Sequence, residues 1–461
     1  MRQWILAGCT AVWLALPAPA RAFPYEVHTR TLENGCELVV VPMPSEGVVA
    51  TAVWMDVGSR NEVEPGRTGY AHFFEHLLFS GTETLDRAGR DAALLKLGIG
   101  DNAWTWLDET VYTGTSDTES LDAWMGIQAD MMAHLALTPD HVKRESGAVY
   151  GEYRKTQASP DFHLDQALRR TAFTVHPYAH DTLGYEADIA AMPGAYDYVQ
   201  AFYERWYQPG NARVLLVGDV TPEAGFALLE KHFGPWAPKP VAVLPEIPEE
   251  PAQTGPRSVE VAWDSEIPPQ LMFGWRIPAA NPSDPEVAAL SLAEALLLGR
   301  AGRLPNRLVR EEALALSVSG GLEPTVDPGL FLVHIELKDA ADRARVEAIV
   351  QEEIEGLVKG VDPAFFARTR SNARYRGLLE LDDPENVLYV VGDRMRRGAR
   401  AADIGAFDEA VAAVDPGALG AAVAKHLTPE HRTIAWIAHG APAEPETPAP
   451  AETPGGASDA R

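Results

Sequence analysis

Cysteine is almost missing from this chain: 461 residues hold only Cys9 and Cys36. So few thiols exclude a disulfide-stapled scaffold, and stability has to come from apolar cores. Basic residues are also short, 39 Lys and Arg against 66 Asp and Glu, for a formal charge of −27. That deficit argues against nucleic acid or an anionic membrane as a partner and describes a solvated acidic surface. Past the extreme N-terminus no apolar run approaches the length that spans a bilayer. The remainder, 46% hydrophobic and 23% charged, is ordinary globular composition. At 461 residues it is too long for one core and predicts two to three domains.

The first residues read as a targeting segment. Arg2 supplies a positive charge, Trp4 to Leu16 an apolar stretch and Ala20-Arg21-Ala22 a small-x-small cleavage site, so residues 1–22 are expected to be a secretory signal peptide. Leu6-Ala7-Gly8-Cys9 superficially matches a lipidation box, but most of the apolar region follows Cys9 instead of preceding it. Cleavage after Ala22 removes Arg2 and Arg21, takes the charge to −29 and leaves Cys36 as the one cysteine.

Hydrophobic periodicity gives a two-part plan. A hairpin is expected from Val27 to Leu32 and Cys36 to Val41 around Glu33-Asn34-Gly35, then a strand over Val48 to Val57. A helix follows, capped by Thr68 and stopped at Gly81; residues 102–115 return to strand, and Thr138-Pro139 opens another helix. Ala212 to Val217 is a buried-strand run that closes the half. Residues 235–257 carry seven prolines with little periodicity and read as an interdomain linker. Beyond it the plan repeats: strands at Val259 to Val261 and Gln270 to Trp275, a helix capped at Asp284-Pro285, a strand over Leu330 to Leu337, a helix around Arg343 to Leu357, and Thr433 to Ala438 as the closing strand. The fold class expected is α+β, with two similar α/β units, each a sheet with helices packed on one side, over 23–234 and 258–440. Residues 441–461 are Pro, Ala, Glu, Thr and Gly with almost no large apolar side chains, a composition expected to be disordered.

The chemistry is concentrated in His72-Phe73-Phe74-Glu75-His76. Residues four apart share a helix face, so His72 and His76 are placed to hold one metal ion, with Glu75 beside them as a base for a water. With 13 histidines in the chain, a chance H-x-x-E-H is on the order of a few per cent. Two imidazoles suit zinc, whose catalytic sites take a third protein ligand. The helix after Thr138 offers Glu145 and Glu152, seven apart and on one face, and spacing alone does not choose between them. Aligning Gly299 with Gly81 puts Leu290, Ala293 and Glu294 opposite the motif residues, so the second unit is expected to bind no metal.

Gly58-Ser59-Arg60, the run Gly69 to Thr82, Asn102-Ala103-Trp104-Thr105, Thr110-Val111-Tyr112, Tyr207 to Ala212 and Val217 to Val220 together resemble the M16 (pitrilysin, or inverzincin) zinc peptidases, in particular their short bacterial and mitochondrial-processing-peptidase-like members. The resemblance covers nearly the whole chain after the signal. It implies that His72, His76 and Glu152 bind one Zn²⁺, that Glu145 orients a ligand histidine, and that Glu75 is the general base of a peptide hydrolase. It further implies a strand from Asn102 and Ala103 that pairs with an extended peptide substrate; the signal peptide separately predicts a periplasmic location.

One part of the resemblance fails. The metal-free unit of such enzymes contributes an arginine and a tyrosine near L-R-E-x-x-G-L-A-Y-S-V; here Leu308 to Val318 keeps Arg310 but carries Leu316 at the tyrosine position, one residue short. Leucine cannot donate a hydrogen bond to an oxyanion. Three readings follow: the zinc-bearing subunit of a heterodimer whose homologous partner supplies the arginine and tyrosine, a homodimer or monomer with another stabilising group, or a retired peptidase serving as a binding scaffold. His176 and His180 are also four apart, but Pro177 between them argues against a helical metal pair. Cys36 reads as a packing residue.

Overall fold

The structure is a computed structural model that describes residues 23–240 and 244–440. The segments read as signal peptide (1–22) and tail (441–461), with Cys9, lie outside the described residues, as do 241–243 of the linker. Among the described residues the strands form two sheets. The first contains β1 (His28–Thr31), β2 (Glu37–Pro42), β3 (Val48–Met55), β4 (Gly100–Thr105), β5 (Thr110–Asp117) and β6 (Ala212–Gly218), in the order β1-β2-β6-β3-β5-β4. The second contains β7 (Arg257–Trp263), β8 (Gln270–Arg276), β9 (Ala315–Leu322), β10 (Leu330–Leu337) and β11 (Arg432–His439), in the order β7-β11-β8-β10-β9. Without β1 the two orders are the same. The pairs β2–β6 and β7–β11 are parallel and the others antiparallel. The repeat expected from the sequence is therefore a repeat of topology.

Among the described residues eight α-helices belong to the first half: α1 (Tyr70–Leu78), α2 (Arg87–Leu97), α3 (Leu121–Ala133), α4 (Pro139–Thr156), α5 (Pro160–Ala172), α6 (Glu186–Ala191), α7 (Tyr196–Trp206) and α8 (Pro222–Phe233). The second half has α9 (Pro285–Leu298), α10 (Arg343–Lys359), α11 (Pro363–Leu379), α12 (Pro384–Arg396), α13 (Ala406–Ala413) and α14 (Pro416–His426). Thr138 and Asp284 cap α4 and α9 through their side chains, with Pro139 and Pro285 in the first turn, as the sequence predicts. Each unit packs its own helices on one face of its sheet, in cores that include Phe73, Tyr112, Phe202 and Val214 in the first and Phe273, Leu290, Ile335 and Val350 in the second.

The opposite faces are covered by exchange. From the second half, α12 sets Leu388, Val391 and Met395 against Val39, Val41, Trp54 and Leu215 of the first sheet. From the first half, α5 sets Leu164, Leu168 and Ala172 against Met272, Ala435 and Ile437 of the second. With both faces covered, β3 and β6 are buried almost throughout. The seat of α12 is close: a Cβ added at Gly392 would lie 2.2 Å from the Trp54 ring. Gly392→Ala therefore has to lift α12 off β3, and a loss of about 1–3 kcal/mol is expected in urea unfolding; an unchanged midpoint would show that α12 does not sit there. The proline-rich segment is held down as well. The carboxylate of Glu250 accepts hydrogen bonds from the N–H groups of Thr174 (2.8 Å), Val175 (2.8 Å) and His176 (3.0 Å).

Candidate metal centre

Helix α1 has two faces with different work. Tyr70, Phe73, Phe74, Leu77 and Leu78 are fully buried, and Phe74 stacks on Phe202 and Tyr203 of α7. Behind it Tyr112 donates to the Phe74 carbonyl at 3.1 Å and meets the Tyr207 hydroxyl at 2.8 Å, so two segments read for family resemblance serve to fix this helix. The other face carries His72, Glu75 and His76 towards α4 and β4.

The start of α1 differs from the sequence expectation. Thr68 is not the cap: its hydroxyl donates to Asp188 at 2.6 Å and accepts from the Tyr185 N–H at 2.8 Å. The capping position is Gly69, at φ +83°, where an added Cβ would lie 2.7 Å from the Leu183 carbonyl oxygen. Glu62 satisfies the helix instead. Its buried carboxylate accepts from the Gly69 and Ala71 N–H groups, both at 2.7 Å, an arrangement the helix dipole favours. A hydroxyl consumed elsewhere left those donors to a longer side chain from the preceding turn.

Helix α4 crosses α1 and brings a carboxylate to the histidine pair. His72 Nε2 and His76 Nε2 are 3.3 Å apart, and Glu152 Oε2 lies 3.7 Å from the first and 3.4 Å from the second. Among the described residues this is the one grouping of three side chains whose donor atoms could share an ion. Tetrahedral zinc with bonds of about 2.0–2.2 Å needs donors roughly 3.3–3.6 Å apart, so the donor set fits zinc in both chemistry and spacing. Burial, reinforced by His76, pushes His72 down to about 4 and keeps it as the neutral imidazole that a metal requires. Glu75 is raised by burial, opposed by a 2.7 Å hydrogen bond that it accepts from Thr105 Oγ1.

The other expected site residues are placed differently. Glu145 is buried on the same face of α4 as Glu152, but its recorded bonds are to Arg144 Nε at 2.8 Å and Arg87 Nη1 at 3.5 Å, not to a histidine. Asn102 and Ala103 lie within β4, at the edge of the first sheet, with Asn102 exposed and Ala103 turned inward. Arg310 is exposed in a π-helical segment, Pro305–Glu311, and bonds to Asn306 and to the Arg300 carbonyl; no described contact joins it to the histidines. Leu316 is 47% exposed on β9, the corresponding edge of the second sheet. His176 bonds to Asp327 at 3.0 Å and His180 to the Asp181 carbonyl at 2.9 Å, so the two rings serve separate contacts. Cys36 is buried in the first core, its thiol pushed up to about 12 by burial.

Sequence reasoning gave no role to Thr105 or Glu62. Thr105 stood within a quoted resemblance segment, but only the return of β4 beside α1 shows what its hydroxyl meets. Trp106, the next residue, and Thr156, one turn beyond Glu152, both line a cavity of about 500 Å³ whose far wall includes Leu322 and Glu323 of the second half.

Residues 38–186 match the family model described as insulinase (peptidase family M16), and residues 195–373 match the peptidase M16 inactive domain. The zinc protease PqqE of Helicobacter pylori is 30% identical over 395 residues, 84% of this chain and 87% of that protein. A crystal structure of a protease from Helicobacter pylori superposes with a TM-score of 0.84 at 26% identity, over 90% of this chain and 99% of the other. The periplasmic protease PqqL of Escherichia coli shares the fold with a TM-score of 0.74 at 17% identity, over 89% of this chain and 47% of its own length. By sequence over most of its length and by fold, the chain belongs to peptidase family M16, among relatives named zinc proteases.

Proposed function

We propose that the chain is a zinc-dependent endopeptidase that cuts extended or unfolded peptides, with His72, His76 and Glu152 holding one Zn²⁺ and Glu75 as general base. The observation that carries this reading is the convergence of the three donor atoms within 3.3–3.7 Å, with Glu75 on the same helix and tied to the edge strand β4. Zinc, when bound, supplies Lewis-acid polarisation of the scissile carbonyl. Glu75 takes a proton from the attacking water and returns it to the leaving amine. The edge of β4 around Asn102 and Ala103, unpaired among the described residues, receives the peptide main chain by β-augmentation, which gives affinity with little demand on side chains. Glu145, held by Arg87 and Arg144, supports α4 one face-repeat before Glu152.

A homologous second chain completes the site in this reading. Support comes from Leu316 at the tyrosine position, from Arg310 bonded within its own segment, and from the fold covering only 47% of PqqL. The segment at residues 1–22 and the periplasmic relative support export to the periplasm. Among the described residues no helix is long and apolar enough to cross a membrane. The alternative, a non-catalytic scaffold, has no use for three converging metal donors beside a half-buried carboxylate.

Metal analysis of the purified protein tests the reading. About one zinc per chain is expected, and His76→Ala should lose it, because two donors hold zinc far less well than three. A zinc-free wild type would sink the enzyme reading. Assay of the chain alone and mixed with a homologous chain carrying the arginine and tyrosine tests the partner: full activity alone would exclude an obligate second subunit.

A further inference from the structure

The side chain that holds Glu75 comes from the strand proposed to hold the substrate. Thr105 is the last residue of β4, 9% exposed, and its Oγ1 donates to Glu75 Oε2 at 2.7 Å. Its main chain is already engaged in the β4–β5 ladder opposite Thr110, so the contact to α1 depends on the hydroxyl. Among the described residues the outer edge of β4 has no strand partner.

The second unit ties its helix to its edge strand from the neighbouring position, Glu294, which stands opposite His76 where Ala293 stands opposite Glu75. Glu294 of α9, the helix in the place of α1, accepts from the N–H of Leu322 at 2.9 Å, and Leu322 ends β9 as Thr105 ends β4. A carboxylate on the helix is thus fastened to the end of the edge strand in both units. In the second unit the fastening is main chain, whereas in the first it is a side-chain hydroxyl directed at the residue proposed as base.

We infer that Thr105 is a positioning residue for Glu75: its hydroxyl fixes one carboxylate oxygen, leaves the other free for proton transfer, and places both in register with a peptide on β4. This rests on the zinc-peptidase reading above. Without the bond, Glu75 remains present but samples other rotamers, and a misplaced catalytic group lowers turnover without weakening substrate binding.

Thr105→Val replaces the hydroxyl by a methyl group of the same shape, and Thr105→Ala removes both branches. Each is expected to lower kcat by about 10- to 100-fold with KM within about twofold and zinc content unchanged. Thr105→Ser, which restores the hydroxyl, should bring kcat back to within about threefold of wild type. The assays use the assembly in which the wild type is active. Wild-type kcat in both the valine and alanine variants, a loss confined to KM, or failure of serine to rescue would each overturn the inference. Glu75→Gln separates this from the parent reading: if Glu75→Gln is inactive while Thr105→Val is not, Glu75 is the base and Thr105 does not position it. If the wild type hydrolyses no peptide, both fail together.

Discussion

Glu75→Gln should keep its zinc and lose turnover by about 10²- to 10⁴-fold, the range a positioned general base supplies. The exchange is nearly isosteric, and the amide oxygen can still accept the Thr105 hydrogen bond that now reaches Glu75 Oε2 at 2.7 Å. His72, His76 and Glu152 remain as they are, so metal content isolates the chemical step from the binding site. What the amide cannot do is accept a proton from water. Burial raises the Glu75 carboxyl above its ordinary value, which brings its basicity nearer to that needed for proton transfer at neutral pH. The measurement is zinc per chain together with kcat on a quenched-fluorescence peptide. Turnover near the wild-type rate would remove Glu75 as the base.

Removal of Arg396 is expected to be the most destabilising single change. It lies on α12, 2% exposed, and reaches across from the second half to the β4–β5 turn of the first. Its Nη1 donates to Asp108 Oδ2 at 3.0 Å and its Nη2 to the Pro324 carbonyl at 2.6 Å and Asp393 Oδ1 at 2.8 Å. Nε lies 2.8 Å from Glu109 Oε2, a charge contact whose angles do not make it a hydrogen bond. Asp108 also accepts from the Tyr178 hydroxyl at 2.6 Å and the Val326 N–H at 3.0 Å. Burial pushes the Glu109 carboxyl up to about 8, and the Arg396 charge is the main influence opposing it. Arg396→Ala leaves Glu109 without its cation and Asp108 with only the Arg60 guanidinium at 3.8 Å, and breaking a buried pair in this way costs about 3–5 kcal/mol. Urea unfolding measures it; a change below about 1 kcal/mol would show that Arg60 and the Tyr178 and Val326 bonds hold the turn without Arg396. The same variant tests the exchange of helices, since α12 is anchored to the first sheet by Arg396 at its end and by Leu388 and Val391 in its middle.

Much of this was legible in one dimension because helices and strands convert spacing into geometry without long-range information. The period of α1 by itself puts His72 and His76 on one side and Phe73, Phe74 and Leu77 on the other. Thr138-Pro139 and Asp284-Pro285 mark helix starts because the cap and the first-turn proline act within four residues. Thr68 looked like the same signal and was not, since its hydroxyl found Asp188, 120 residues away in the chain. The proline content of residues 235–257 was visible as composition, but the hydrogen bonds that Glu250 accepts were not.

The sequence by itself determined the H-x-x-E-H pattern of α1, the duplicated order of strands and helices, and the lack of that motif in the second half. Those depend on local periodicity, which needs no knowledge of neighbours. The family resemblance pointed to Glu152, but only the tertiary structure shows why it, and not Glu145, meets the histidines. Glu145 and Glu152 are two helical turns apart on one face, so period cannot separate them; the crossing of α4 over α1 does, and it leaves Glu152 at 3.4 Å from His76 and Glu145 against two arginines. The tertiary structure also decided that α5 and α12 change places between units, and that the end of β4 delivers a hydroxyl to Glu75. Contacts between residues distant in sequence follow from how elements pack, and packing is a property of the whole chain.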